Sequence, residues 1–130
     1  MAMTDILVVS AFGGIGCALR VLVRDAMQRR GRHPWVAVCA INLLGSLAIG
    51  ALLSAVRLPD AAMPTYAVTA ATGLLAGWTT YSAFAMDVVQ LWWRGERASA
   101  AALWAVTLGG SPVLAWIGAS AVRAAFGGGA

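Results

Sequence analysis

Three stretches of this sequence carry no charged residue: 35–56, 61–86 and 98–122. Each exceeds the roughly 18 residues that mark a helix able to cross a bilayer, and a backbone in hydrocarbon must satisfy its own polar groups. A fourth run, 6–23, joins them if Arg20 is tolerated near its end. With 61% hydrophobic and 11% charged residues, the chain lies outside the range of soluble globular domains. The expectation is one all-α transmembrane domain over 1–130, with four spans at about 6–26, 34–56, 62–93 and 98–123.

The third run is the least ordinary. Its middle holds T-G-L-L-A-G-W-T-T-Y-S-A-F-A-M-D, residues 72–87, with two glycines, two adjacent threonines and a serine. Gly77 and the β-branched Thr79-Thr80 pair are weak helix formers, so a break is expected near 76–79. Length argues the same way: 61–93 would reach ~50 Å as one helix, against a hydrocarbon core of ~30 Å. A break there frees carbonyls that must be buried in protein or coordinate an ion. Tyr81 and Phe84, three apart, share a helical face just beyond it. Asp87 lies late in the same span, where an acid needs a partner or a wet vestibule.

The other spans carry fewer polar groups. Asn42, near the centre of the second, should face protein or water, because an unpaired amide in hydrocarbon costs on the order of several kcal/mol. Helix-to-helix hydrogen bonding and ligand contact are equally good readings of that amide. In the fourth, Leu103, Thr107 and Ser111 recur every four residues, which puts two hydroxyls on one face; Pro112 should kink the helix beside Gly109-Gly110. In the first, Gly13 with Gly16 and Gly14 with Ala18 suit close helix approach. Arg20 either snorkels to the interface or stands as a fixed cation at a pathway mouth. Cys17 and Cys39 lack metal-ligand spacing and read as small buried hydrophobes. The tail after Arg123 should fray.

The formal charge of +4 rests on nine basic residues, all Arg. They flank hydrophobic runs and follow no nucleic-acid motif, so anionic lipid headgroups rather than nucleic acid account for them. Asp5 precedes the first run and no basic segment does, which argues against a cleaved signal. With four spans, the first and third connections share a side and hold Arg24, Arg29, Arg30, Arg32, Arg94 and Arg97, whereas Arg57 and Arg123 lie on the other. By the positive-inside rule this favours termini outside.

Three of these segments, in order, resemble the CrcB/Fluc family of small fluoride channels. The family's first-helix pattern G-G-x-x-G-A-x-x-R is close to Gly13 through Arg20. Its V-N-x-x-G-S pattern is similar to Ile41-Asn42-Leu43-Leu44-Gly45-Ser46, and its T-G-x-x-G-G-x-T-T-F-S-T-F signature to Thr72 through Phe84. The chain departs from these patterns at Tyr81 for Phe, Ala83 for Thr and Ala76 for Gly, with Asp87 for a common Glu, Val38 for a second-helix Thr and Leu103 for a frequent Tyr. The resemblance implies an antiparallel dual-topology dimer, a homodimer or a heterodimer with an oppositely oriented homologue, passing fluoride passively out of the cell across the cytoplasmic membrane. It implies an anion pathway of Asn42, Tyr81, Phe84, Thr107, Ser111 and Arg20. It also implies a central structural Na⁺ on the backbone carbonyls of Ala76 and Thr79, completed by the other subunit.

Physical chemistry agrees with such a path. Aromatic edges are positive, Asn and Ser/Thr protons are neutral donors that replace water, and weak repeated sites let an anion leave. A four-helix multidrug/proton antiporter needs an embedded carboxylate, for which Asp87 is the one candidate. A non-transporting assembly subunit would leave Asn42 and the aromatics as packing. No nucleophile, acid-base pair or metal cluster points to an enzyme.

Overall fold

The structure, a computed structural model, describes residues 3–58 and 63–127. Residue 62, the expected start of the third span, and the end of the tail lie outside the described residues. Within them the chain is helical: α1 (Met3–Arg29), α2 (Pro34–Ala55), α3 (Thr65–Trp78), α4 (Tyr81–Trp93) and α5 (Arg97–Phe126). Three of these, α1, α2 and α5, are each long and apolar enough to cross a membrane. At 14 and 13 residues, α3 and α4 are each too short. Together they make the third of four spans, broken in its middle.

Connections are short and use backbone conformations that suit their residues. Gly31 and Gly95 take positive φ values of 73° and 79°, which other residues rarely adopt, in the turns after α1 and α4. Pro34 opens α2 at its first position, where a missing N–H costs nothing. Trp92 and Trp93 are exposed at 55% and 79% near the end of α4, as an interfacial pair should be, and the Arg97 guanidinium lies 5.2 Å from the Trp92 ring.

Packing follows two helix pairs, α1 on α3 and α2 on α5. In the first, backbone meets backbone: a Cβ on Gly16 would run into the Leu74 carbonyl, and one on Gly77 into that of Gly13. In the second, Gly50 lies against the Ala115 carbonyl and Gly118 against that of Leu47. Such approach is what drives association where apolar burial between helices gives no gain. Close approach expected on the Gly14–Ala18 face is not made at Gly14, where an added Cβ would meet nothing within 4 Å. The core gathers Val38, Cys39, Phe84, Leu91, Ala100 and Leu103 between α2, α4 and α5.

One expectation is sharpened and another corrected. The break expected near 76–79 is present and lies at the end of that range, at Thr79-Thr80, since Ala76, Gly77 and Trp78 stay helical. Gly77 serves the contact with α1, and the β-branched pair takes the extended conformation it prefers, with ψ 151° at Thr79 and φ −153° at Thr80. At the other end, α5 runs unbroken through Pro112 and continues past Arg123 to Phe126, so the tail does not fray where expected. Pro112 still removes the donor for the Leu108 carbonyl one turn back.

Candidate ion pathway

The break is held by the I-N-L-L-G-S segment of α2. Asn42 uses both ends of its amide on one residue: Oδ1 accepts from the Thr80 N–H at 3.0 Å, and Nδ2 donates to the Thr80 carbonyl at 3.2 Å. The bare face of Gly45 makes room for the Thr79 methyl, which a Cβ would meet. Trp78 Nε1 donates to the Ile41 carbonyl at 2.9 Å, and Ser46 Oγ bonds back to the Asn42 carbonyl at 2.8 Å. The Thr80 N–H, which the break takes out of helical pairing, is thereby satisfied inside the span, and the Thr80 carbonyl, at the N-cap of α4, gains a side-chain donor.

The same bonds free two other carbonyls. In a continuous helix Ala76 would accept from the N–H of Thr80, which goes to Asn42, and Thr79 from that of Ala83, which goes to the Thr80 hydroxyl at 3.3 Å. Thr80 thus acts as the N-cap of α4. Leu75 keeps its bond, with the Thr79 N–H at 3.0 Å. Two opposite helix ends therefore meet in mid-span: carbonyls at the end of α3 suit a cation, and N–H groups at the start of α4 suit an anion.

Beside the break runs a groove of about 370 Å³ between α2, α4 and α5. Asn42, Tyr81, Phe84, Thr107 and Ser111 all line it, as do Ser46, Thr79 and Thr80. Among the described residues no charged side chain does. Tyr81 is 76% exposed and Phe84 only 3%, with ring centroids 5.6 Å apart and planes tilted by 50°. Phe84 therefore belongs to the core as well as to the groove. Thr107 is buried, yet its Oγ1 has no hydrogen-bond partner among the described residues. A buried hydroxyl in that state asks for a ligand or water at the groove.

Two of the residues read from the sequence lie elsewhere. Ala76 does not line the groove, and Arg20 lines a separate cavity of about 140 Å³ with Arg24, Ile41, Ala83 and Thr80, the last of which borders both. Arg20 donates from Nη2 to Cys17 Sγ at 3.0 Å, and its Nε is buried without a partner among the described residues. Asp87, the acid in search of a partner, is buried and paired with Arg24 at 3.3 Å, in a third cavity bordered by His33 and Arg94. Sequence reasoning missed Thr80, Gly45 and Arg24. A threonine just before a new helix is a capping signal, which could have found the first; the other two act only through contacts across the fold.

Comparison with known proteins follows the same segments. Residues 7–119 match the family described as CrcB-like protein, Camphor Resistance (CrcB). The chain is 36% identical over 124 residues to the fluoride-specific ion channel FluC of Rhizobium meliloti, covering 94% of this chain and 98% of that one. It is 42% identical over 108 residues to the FluC of Nitrobacter winogradskyi, at 78% and 82% coverage. To the protein named fluoride-specific ion channel FluC 2 of Nitrobacter hamburgensis it is 35% identical over 113 residues, at 86% and 88%.

Proposed function

The chain belongs to the CrcB-like family, and from that membership we propose how it works: it is a fluoride-specific ion channel of the bacterial cytoplasmic membrane. It is not an enzyme. Fluoride leaves the cell passively, down its electrochemical gradient, and its concentration inside falls.

The observation that carries the mechanism is the meeting of Asn42, Thr107, Ser111 and the Tyr81–Phe84 pair on one uncharged groove at the start of α4. A fluoride ion entering the membrane must exchange water for other donors. Asn42 gives one amide proton to Thr80 and keeps the second for the ion, while Thr107 and Ser111 supply hydroxyl protons. The positive edges of the two rings and the N-terminal end of α4 add favourable potential without a full charge. Binding stays weak enough for release. Arg20, near Thr80 but outside the groove, raises the local anion concentration through its field.

A structural Na⁺ fits the break. The carbonyls of Ala76 and Thr79, whose helical donors are diverted, would hold it together with the same pair from a second subunit; hard cations take oxygen ligands of this kind. Bound there, the ion supplies positive charge that offsets the carbonyl end of α3. Alanine in place of glycine at 76 leaves that carbonyl in place. The second subunit also covers the polar groove, whose Tyr81 would otherwise lie open to lipid. We take the assembly to be an antiparallel dimer, with this chain or an oppositely oriented homologue as the partner.

The antiporter reading has no comparable support, since Asp87 is ion-paired and lies outside the groove. The test is efflux from liposomes, read with a fluoride electrode after valinomycin is added. Fluoride should leave far faster than chloride. A verified dimer, tested with and without a partner homologue, that releases no more than empty vesicles overturns the proposal.

A further inference from the structure

On the side of the membrane that holds the α2–α3 connection, the sequence places only two basic residues, Arg57 and Arg123, and both line a single cavity of about 480 Å³ between the ends of α2 and α5. We propose that this cavity seats the phosphate of an anionic phospholipid. The inference is independent of what the channel conducts.

Position is the first argument. Arg57 follows the end of α2 at Ala55, and Arg123 lies in the last turn of α5, so both guanidinium groups stand where a span leaves the hydrocarbon. Charge is the second. Arg123 Nη2 is oriented by a 3.0 Å bond to Ser120 Oγ, and among the described residues no acidic side chain lines the cavity or pairs with either arginine. Two guanidinium forks that meet no counter-charge among the described residues match a phosphodiester, which accepts bidentate bonds. Surroundings are the third. Leu53, on the cavity wall, is 54% exposed, and Leu58, Ala115 and Ala119 line the same space, which offers acyl chains an apolar flank.

These arginines do not form a mouth of the Asn42 groove. The two spaces lie on either side of the Gly50–Ala115 contact, where the backbones of α2 and α5 touch and close the interhelical space between them. A free anion taken up from solution would also have no use for the exposed Leu53. Lipid is the occupant that uses both halves of the site.

Thermal unfolding of the purified protein in a neutral detergent, followed by tryptophan fluorescence, tests this with three additives: dioctanoyl phosphatidylglycerol, dioctanoyl phosphatidylcholine and inorganic phosphate. Phosphatidylglycerol should raise Tm and the other two should not. In Arg57→Gln/Arg123→Gln the apparent affinity for phosphatidylglycerol should fall about tenfold or more. Arg30→Gln/Arg32→Gln, on the opposite side, should keep it. No shift in the wild type, an undiminished shift in the double variant, or an equal shift with inorganic phosphate overturns the proposal. If the double variant does not fold, each single Arg→Gln variant should weaken the lipid response, and full retention in both overturns it as well.

Discussion

On the proposed reading Asn42 both holds the helix break and serves the ion, and measuring Tm beside flux in one variant tells the two roles apart. Its amide holds both backbone groups of Thr80, so Asn42→Leu strands the Thr80 N–H inside the span, at a cost of about 1–3 kcal/mol. A lower Tm should therefore accompany the loss of fluoride efflux; a variant with wild-type Tm and no flux would show that the amide matters to the ion alone. The rings allow a cleaner separation. Phe84→Ile removes the quadrupole but keeps apolar bulk in the core, so it should cost about 1 kcal/mol or a little more while suppressing flux, with the size-exclusion profile unchanged. Tyr81→Phe takes away only an exposed hydroxyl and should conduct. The opposite result, conduction by Phe84→Ile and none by Tyr81→Phe, would make the hydroxyl the working group.

At the scale of helices, close backbone approach decides what can be changed. Gly77→Ala drives a Cβ into the Gly13 carbonyl, whereas Gly14→Ala meets nothing within 4 Å. Overpacking against backbone costs about 1–3 kcal/mol or more, so Gly77→Ala should lose folded, monodisperse protein on extraction and Gly14→Ala should not. The sequence announced the small residues of α1 but could not say which of them meet α3, because spacing defines a face and not its partner. The third span was legible for a similar reason and to a similar limit. Its length and weak helix formers required a break, while its place at Thr79-Thr80 depended on Asn42 and Gly45, 38 and 34 positions away along the chain. Asp87 and Arg24 show the limit again. Asp87 read as an acid in need of a partner and Arg24 as one arginine among several in the first connection, and the fold makes them a pair; Arg24→Gln takes the partner from a buried carboxylate and should destabilise by about 1–3 kcal/mol, less than a fully buried pair because Arg24 is partly exposed, read as a fall in Tm.

On the proposed reading the chain forms one half of a conduit, and its partner is set by which way the chain inserts. Five residues read from the sequence share one groove, yet Tyr81 projects from it exposed, and the carbonyls of Ala76 and Thr79 would supply only part of the proposed cation's oxygen shell. In the proposed assembly a second subunit would complete both features by facing the first in the opposite orientation. Insertion follows the arginines: six on the side of the first and third connections against two on the other. That imbalance should commit the chain to one orientation with its termini outside the cytoplasm. An alkaline phosphatase fused after Ala130 should then be active and a green fluorescent protein at the same place dark. Flux should rise when a homologue with the reverse charge bias is co-expressed, because only that partner offers the antiparallel face. Comparable signals from both reporters would mean that the chain inserts both ways and pairs with itself, and moving Arg30 and Arg32 to Gln should then shift the ratio without a change in fold.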